Sequence, residues 1–521
     1  MRGRERAMYS VSYCAAIHGI EGCMIQVEAD VSNGLPGFSL VGFLSSEVKE
    51  ARERVQIGMR NAGFRFPPKK ITINLSPADI RKGGTGYDLA IAVAVLTAFG
   101  YISQDYVKQF IFIGELGLEG QIKPVSGVLP RVYTAYEHAI SRCVVPRENA
   151  AEAGIVRGMH VAGVSDLREL IAWLGSESVP GRTEGEEKIS SRRDNIPDFS
   201  EVCGQRMVRR AVEVAAAGMH NMLMIGPPGS GKTMIAKRIP GILPQMDFRE
   251  QMEISKIYSV AGLLSEEMPY MASRPFRSPH HTVTRQALTG GGRTPKPGEV
   301  SLANGGVLFL DELAEFPRQT IEVLRQPIED GFVNIDRVEG NYRYPAKFQL
   351  VAATNPCRCG YYPNRKKCRC TRNQVRGYLD KISKPMLERM DLCVETVPLE
   401  MKDFSGVKKV KNESSEVIRK RVEQAQKIQR KRYAQEDFYY NASLPSGLIE
   451  KYCPMDRQAR LYLENAFGEL DFSARVYHKI VKVSRTIADL TGAAQIEEEH
   501  VMEAVCYRMA DKKYWGGEGE C

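Results

Sequence analysis

The sequence has no apolar segment of the length that a membrane span requires. Its longest apolar stretch covers residues 89–99, whereas a helix needs roughly 20 residues to cross a bilayer. The basic N-terminus, with Arg2, Arg4 and Arg6, is not followed by the unbroken apolar segment of a secretion signal. We therefore expect a cytoplasmic protein without membrane contacts.

Cysteine is also scarce, because only 12 of 521 residues are cysteine. That density excludes a disulfide-stabilised secreted scaffold. Internal repeats and low-complexity tracts are missing too, and a composition of 43% hydrophobic and 26% charged residues is that of folded globular protein. A chain of this length exceeds one ordinary core, so we expect about three domains.

Changes in pattern along the chain predict three domains and one linker. Residues 1–178 alternate strand-like and helical runs, which predicts an α/β domain. Residues 179–198 are rich in Gly, Ser, Pro and charge and predict a linker. Residues 199–400 predict a parallel sheet wrapped by helices. Residues 401–521 show only helical periods, at 415–433, 456–467, 473–490 and 497–509.

A phosphate-binding loop is predicted after the strand at residues 221–225. Residues 226–233 read GPPGSGKT and fit the pattern G-x-x-x-x-G-K-[ST], and a helical stretch follows. Such a loop turns backbone N–H groups toward phosphates, with a lysine on the outer phosphates and a hydroxyl on Mg²⁺. The predicted ATP-binding residues are Gly226, Pro227, Pro228, Gly229, Ser230, Gly231, Lys232 and Thr233.

Two further strands end in polar residues suited to the same site. Residues 306–310 lead into Asp311 and Glu312, and another strand ends at Asn355. Ligands bind open α/β sheets at the carboxyl ends of their strands. We expect Asp311 to join Thr233 at Mg²⁺, Glu312 to polarise the attacking water, and Asn355 to orient that water or to sense the γ-phosphate.

Two arginines are candidates for stabilising the charge that develops on the phosphates. Arg389 lies late in the core, where an arginine can enter the ATP site of a neighbouring subunit, and Arg475 begins a helix of the last domain. The alternative for both is an ordinary salt bridge.

Four cysteines within a short segment predict a metal site. Their spacing is C-x-C-x8-C-x-C, with Gly360 and Pro363 in the intervening turn. Four thiolates on one hairpin suit a closed tetrahedral zinc site, and four reduced surface thiols are the alternative. The predicted ligands are Cys357, Cys359, Cys368 and Cys370.

The net charge of +9 is concentrated in two stretches without any acidic residue, 268–298 and 357–379. Together with a predicted hairpin at 337–343, they are candidate nucleic-acid contacts. No base-reading motif is present, so we expect little sequence preference. The paired histidines are expected to be structural rather than metal ligands. The candidate contacts are Arg277, His280, His281, Arg285, Arg293, Arg337, Lys366 and Lys367.

Several motifs together resemble the ComM/YifB family of magnesium-chelatase-like AAA+ ATPases. They are residues 38–42 (FSLVG), 74–79 (NLSPAD), 276–282 (FRSPHHT), 298–302 (GEVSL), 308–313 (LFLDEL) and 473–478 (SARVYH). The resemblance implies a Lon-protease-like, S5-type α/β domain, an AAA+ P-loop core and a helical lid, assembled as a homo-hexameric ring. It also implies Walker A, Walker B, sensor 1, arginine-finger and sensor 2 roles, taken by Lys232 with Thr233, Asp311 with Glu312, Asn355, Arg389 and Arg475.

The N-terminal domain departs from the peptidase pattern that the resemblance implies. Lon-type proteolysis uses a serine in a glycine-rich loop and a lysine further along the chain. Here the serine position reads Gly86 and the lysine position reads Leu129. We therefore expect a Lon-like fold without the catalytic pair.

The function predicted from these features is an ATP-hydrolysing ring motor on DNA that uses ATP, Mg²⁺ and Zn²⁺. By the resemblance it would unwind DNA or migrate branches during recombination of incoming single strands. Two alternatives remain open: a motor subunit for inserting magnesium into a porphyrin, and an ATP-dependent protease.

Overall fold

The computed structural model describes residues 9–175, 196–337, 340–398, 412–470 and 472–516. Most of the predicted linker, 179–198, lies outside these residues. No helix in the described part of the chain is long and apolar enough to cross a membrane.

The N-terminal domain is a mixed seven-stranded sheet in the order β3-β4-β2-β1-β5-β8-β9. The pairs β1–β2 and β2–β4 are antiparallel, and the other neighbours are parallel. The strands are β1 (Tyr9–His18), β2 (Glu21–Ser32), β3 (Gly37–Val41), β4 (Lys70–Ser76), β5 (Phe110–Phe112), the short hairpin β6 (Glu115–Leu116) and β7 (Ile122–Lys123), β8 (Arg142–Pro146) and β9 (His160–Val164). The α-helices are Ser46–Asn61, Asp88–Ala98, Gln104–Val107, Val128–Glu137, Ala150–Ala153 and Leu167–Gly175.

The longest apolar stretch of the sequence forms the central helix of this domain. Every residue of helix Asp88–Ala98 is buried. The hydroxyls of Ser10 and Ser12 on β1 donate to the carbonyls of Ala94 and Ala90 at 2.6 and 2.8 Å. An all-apolar helix is stable in water only when packed on every side, and here the sheet and its neighbouring helices provide that packing.

A buried arginine fills the position that the resemblance gives to a catalytic serine. Arg131 is 4% exposed, and its Nε and Nη1 have no hydrogen-bond partner. A Cβ added to Gly86 would lie 1.9 Å from Arg131 Nη1. A side chain at position 86 could therefore be accommodated only if the Arg131 guanidinium moved.

The core domain is built on five parallel strands in the order β11-β14-β17-β10-β18. They are β10 (Met222–Ile225), β11 (Phe276–Arg277), β14 (Val307–Leu310), β17 (Gln349–Thr354) and β18 (Leu392–Glu395). Two hairpins project from it, β12 (Gly290–Gly291) with β13 (Lys296–Pro297), and β15 (Phe332–Arg337) with β16 (Gly340–Pro345). The α-helices are Arg206–Gly218, Lys232–Ala236, Phe248–Ala261, Arg285–Thr289, Glu299–Leu302, Arg318–Glu322, Arg325–Asp330, Arg372–Leu379 and Lys384–Leu387.

The C-terminal domain is helical in its described part and shares a hydrophobic core with the sheet domain. Its α-helices are Ser415–Arg432, Ile449–Tyr452, Arg457–Glu469, Ala474–Thr491, Glu498–Cys506 and Met509–Trp515. Buried Asp489 accepts hydrogen bonds from Arg432 and Arg485 at 2.9 and 3.1 Å. The predicted helix 497–509 was wrong in length, because the chain ends one helix at Cys506 and starts another at Met509.

The N-terminal domain contacts the core at two places. Lys256 of helix Phe248–Ala261 pairs with Glu21 at 2.9 Å, and the Ser259 hydroxyl bonds the buried Glu152 carboxyl. At the second place, the ring of His18 stacks on Tyr342 of the β15–β16 hairpin at 4.8 Å. Apolar residues cross the boundary as well, because Met252 packs in the hydrophobic core of the N-terminal domain and Ile20 packs in a hydrophobic core of the sheet domain.

Substitution of Gly86 by serine tests the placement of Arg131. The added Cβ must displace a buried guanidinium, so we expect Gly86→Ser to cost about 1–3 kcal/mol of stability. Gly83→Ser is the matched control, because a Cβ there meets nothing within 4 Å. In a Trp515→Phe background, Trp173 is the remaining tryptophan of the two, so urea unfolding followed by its fluorescence reports on this domain. Equal midpoints for the two variants would contradict the placement.

Candidate nucleotide site and cysteine cluster

A cleft of about 400 Å³ opens at the carboxyl ends of β10, β14 and β17. The parallel order of these strands brings together segments that are far apart in the sequence. The cleft is lined by Pro228, Gly229, Ser230, Gly231, Lys232, Thr233, Met234, Asp311, Glu312, Thr354 and Asn355. The predicted phosphate loop and the three predicted carboxylate and amide side chains therefore meet at one site.

The loop is shaped by glycines with left-handed backbone. Gly229 and Gly231 have φ of +75° and +87°, a region that L side chains rarely adopt. Gly226 and Pro227 do not line the cleft, but their carbonyl oxygens accept hydrogen bonds from the Lys232 ammonium, which does. Gly226 also packs so closely on Thr396 that an added Cβ would lie 2.1 Å from the Thr396 hydroxyl.

The Lys232 ammonium lies in this loop and is 8% exposed as a residue. It donates to the carbonyls of Gly226 and Pro227 at 2.8 and 2.9 Å and to Asn355 Oδ1 at 3.2 Å. Burial lowers the pKa of Lys232 to about 8, and the charges of Asp311 and Glu312 oppose that shift. The ammonium is thus held by dipoles that a phosphate could replace.

The carboxylates of the cleft are held by short local contacts. Thr233 Oγ1 donates to Asp311 Oδ2 at 2.6 Å, so the hydroxyl and the carboxylate face the same point. Glu312 has φ of +52°, and its N–H donates to Asp311 Oδ1 at 2.9 Å. This turn leaves the Glu312 side chain 54% exposed and 3.8 Å from Nδ1 of His281.

Gln205 is a residue of this site that the sequence did not reveal. It has φ of +54° and is 7% exposed. Its amide nitrogen donates to the carbonyls of Ser230 and Val397 at 3.1 and 2.6 Å. It therefore ties the phosphate loop to the chain after β18. The positive φ of Gln205 marks it in the backbone, but no sequence pattern indicated that this residue belongs to the site.

The two candidate arginines do not line the cleft. Arg389 is buried, pairs with Glu329 at 2.6 Å and donates to the Pro385 carbonyl at 2.8 Å. The Arg475 side chain is 64% exposed and pairs with Glu388 at 3.2 Å. Because Glu388 directly precedes Arg389 in the chain, the Arg475–Glu388 ion pair places the two arginines in the same region of the molecule. Among the described residues that line the cleft, Lys232 is the only cation.

The candidate nucleic-acid residues fall into two groups. Arg277 has its Nε and Nη2 bound to Glu299 at 2.6 and 2.7 Å, and His280 Nδ1 bonds the Thr282 hydroxyl at 2.9 Å. His281 lies beside Glu312. His280 is exposed, and so are the other five: Arg285, Arg293, Arg337, Lys366 and Lys367. Arg337 ends β15 of the hairpin that contacts the N-terminal domain.

The four predicted metal ligands lie together beside the cleft. All four Sγ atoms are within 4.8 Å of one another. The separations Cys357–Cys359, Cys359–Cys368 and Cys357–Cys368 are 3.3, 3.5 and 3.7 Å. A disulfide requires about 2.05 Å, whereas a zinc ion at about 2.3 Å from each sulfur places the sulfurs about 3.8 Å apart. The cluster therefore has the dimensions of a tetrahedral thiolate site.

Three segments of the chain match magnesium-chelatase families. Residues 198–404 match the family described as "Magnesium chelatase, subunit ChlI", and residues 27–149 match "Subunit ChlI of Mg-chelatase". Residues 412–508 match "Magnesium chelatase, subunit ChlI C-terminal". The core that carries the cleft is thus a magnesium-chelatase-like AAA+ domain.

Curated relatives match the chain over nearly its whole length. Competence protein ComM of Haemophilus influenzae is 40% identical over 504 residues, 96% of this chain and 97% of that protein. The uncharacterised protein YifB of Escherichia coli is 39% identical over 503 residues, again 96% of this chain and 97% of that protein. Magnesium-chelatase subunit ChlI of Porphyra purpurea is 24% identical over 30% of this chain and 51% of its own length. The chain belongs to the ComM/YifB family of magnesium-chelatase-like proteins.

Proposed function

We propose that this protein is an ATP-hydrolysing motor that works on DNA as a homo-hexameric ring. One observation carries the proposal: Lys232, Thr233, Asp311, Glu312 and Asn355 converge on one cleft. Ammonium, hydroxyl, carboxylate and amide groups in this arrangement suit phosphoryl transfer, which depends on positioning and on charge stabilisation.

Each of these side chains has a separate role in the proposed ATP hydrolysis. Lys232 exchanges the carbonyls of Gly226 and Pro227 for the outer phosphates. Thr233 and Asp311, already 2.6 Å apart, would hold Mg²⁺, which supplies charge neutralisation between the phosphates. Glu312 accepts a proton from the attacking water, since its carboxylate is exposed toward the cleft. Asn355 orients that water or the γ-phosphate.

The charge balance of the cleft supports a site shared between subunits. ATP brings several negative charges, and Lys232 is the only cation among the described lining residues. We assign the missing charge to Arg389 and Arg475 of a neighbouring copy. Arg475 is already exposed, whereas Arg389 must release Glu329 before it can reach a phosphate.

DNA is the proposed substrate because the core domain that carries the ATP cleft also carries exposed cations. Arg285, Arg293, Arg337, Lys366 and Lys367 are exposed; Arg285 begins a short helix, and the other four lie in hairpins or loops. Lys367 and Arg365 also lie over the rings of Tyr361 and Tyr362, at 5.8 and 5.1 Å. Such mixed basic and aromatic surfaces bind single strands with little sequence preference. The Haemophilus relative is named a competence protein, and from the family resemblance we propose a role with incoming single-stranded DNA and in branch migration.

A chelatase motor is the second candidate, and the matched family descriptions favour it. A chelatase motor predicts ATP-dependent metal insertion into a porphyrin. That activity does not account for the basic residues of the cysteine loop. A protease is not favoured, because Arg131 fills the space that a serine at position 86 would need. We assign the N-terminal domain a Lon-like fold without the catalytic pair, and the cofactors ATP, Mg²⁺ and Zn²⁺.

ATP turnover should depend on DNA and on two residues of the cleft. We expect single-stranded or branched DNA to stimulate hydrolysis. Glu312→Gln should lower turnover by about 100-fold or more, because the water loses its proton acceptor. Lys232→Ala should bind ATP only weakly, because the outer phosphates lose their ammonium partner. Lys108→Ala, a change of an exposed lysine in the N-terminal domain, is the control. Steady-state phosphate release with a panel of DNA structures measures this, and no stimulation by any DNA would contradict the proposal.

Salt dependence should identify the DNA-binding surface. Each phosphate contact on single-stranded DNA contributes about 0.7 to the slope of log affinity against log salt. Loss of Lys366 and Lys367 together, by substitution with alanine, should therefore reduce the slope by up to about 1.4. The matched control replaces exposed Lys49 and Lys108 by alanine. Equal slopes for the two double variants would show that the cysteine loop does not contact DNA.

The lowered pKa of Lys232 predicts that ATP affinity falls at alkaline pH. Phosphates favour the charged ammonium, so binding raises a pKa that is about 8 in the free protein. Below that pH the ammonium is already protonated and affinity should be constant. Above it, binding must take up a proton, and affinity should fall about tenfold by roughly pH 9.

Titration with a fluorescent ATP analogue from about pH 7.5 to about pH 9.5 measures this dependence. Lys232→Ala should bind weakly and without the alkaline loss. A wild-type affinity that stays constant across this range would mean that Lys232 does not meet the phosphates.

A further inference from the structure

The cysteine cluster lies against two walls of the ATP cleft. Asn355, which lines the cleft, is followed by Pro356 and then by Cys357. On the other side, Gly360 packs against Pro228 of the phosphate loop, where an added Cβ would lie 2.5 Å from Pro228 Cδ. A single short loop thus contacts both the amide and the phosphate-binding segment of the site.

This loop has little structure of its own. The segment between β17, which ends at Thr354, and the helix that begins at Arg372 contains turns and no strand or helix. Cys357 and Cys368 are buried in the hydrophobic core, whereas Cys359 is exposed and Cys370 is half-buried. Turns of this kind need an additional link to keep a fixed shape, and metal coordination by thiolates provides one.

The surroundings of the cluster are cationic. The loop contains basic residues on either side of the cysteines, among them Arg358, Lys366 and Arg369, and no acidic residue. Arg365 Nη1 donates to the Cys370 carbonyl at 2.9 Å, which fixes the last turn of the loop. A site of four thiolates and one divalent ion carries two negative charges, and these cations offset them.

We propose that the four cysteines bind one Zn²⁺ ion and that this ion keeps the ATP site in its binding conformation. With the metal in place, the position of Cys357 fixes Asn355, which accepts from the Lys232 ammonium at 3.2 Å. The same metal holds Gly360 against Pro228. Loss of the metal frees both contacts at once, so ATP binding weakens although no zinc ligand touches the nucleotide.

The inference rests on the proposed ATP site, and the experiment separates it from the motor function. Zinc content of the purified full-length protein is measured by mass spectrometry, and the spectrum is recorded after exchange with Co²⁺. The affinity for a fluorescent ATP analogue is measured without DNA. We expect about one zinc per chain and the absorption of a cobalt tetrathiolate.

Cys359→Ser removes the exposed ligand and leaves the buried ones unchanged. It should lower the zinc content and weaken ATP binding on the order of tenfold, the effect of losing about one hydrogen bond to a charged group. Cys506→Ser is the matched control, because Cys506 is also exposed and lies outside the cluster. The control should match the wild type in both measurements.

A second variant tests the contact between the loop and the phosphate-binding segment. Gly360→Ala pushes against Pro228 and also puts a side chain on backbone with φ of +84°, so it should displace the loop from the phosphate-binding segment and weaken ATP binding whether or not zinc is retained. Unchanged ATP affinity in Gly360→Ala or in zinc-depleted Cys359→Ser would overturn the proposal, as would wild-type protein without zinc and without a cobalt–thiolate spectrum. Wild-type protein that binds ATP but is not stimulated by DNA contradicts the motor function alone.

Discussion

The order of five parallel strands is the constraint on which the rest of the protein depends. Because β10 lies between β17 and β18, and β14 flanks β17, the carboxyl ends of three strands meet at one edge. That edge receives the phosphate loop, the Asp311–Glu312 pair and Asn355. Neither a slip in register nor a changed strand order would keep Thr233 within hydrogen-bonding distance of Asp311.

The cleft is incomplete as a charge-stabilising site within one copy. Lys232, the one cation among the lining residues that the structure describes, is buried and already bonded to two carbonyls and one amide. The arginines that could add charge lie elsewhere on the chain, near Glu388 and Glu329. This separation explains why the proposed motor requires an assembly: nucleotide held by one copy would meet positive charge from the next. The N-terminal domain touches both helix Phe248–Ala261 and the β15–β16 hairpin, so motion in the core would reach it directly.

The parts of the site that lie within short segments of the sequence could be predicted from the sequence alone. The loop at 226–233, the carboxylates after β14 and the cysteine spacing are all features of short segments, and the structure brings them together. Most predicted helices and strands are confirmed within one to two residues, for example Ser415–Arg432 and Met222–Ile225. Their hydrophobic periods are strong, because one face of each is buried.

Contacts between distant segments were not predictable in this way. Nothing in the sequence indicated that Arg131 would occupy the space beside Gly86, that Gln205 would bridge Ser230 and Val397, or that His281 would approach Glu312. Each depends on how separate elements pack. The same holds for Arg277, which the basic stretch suggested as a nucleic-acid contact and which Glu299 neutralises.

Mixing two inactive variants tests whether one ATP site is shared between neighbouring copies. Lys232→Ala lacks the phosphate-binding cation and Arg389→Ala lacks the arginine assigned to the neighbouring site, so each alone should hydrolyse no ATP with DNA present. In a mixed ring, some interfaces join the intact cleft of an Arg389→Ala copy to the intact Arg389 of a Lys232→Ala copy. We predict that ATP hydrolysis returns when the two purified variants are mixed. A mixture as inactive as its components would contradict the account.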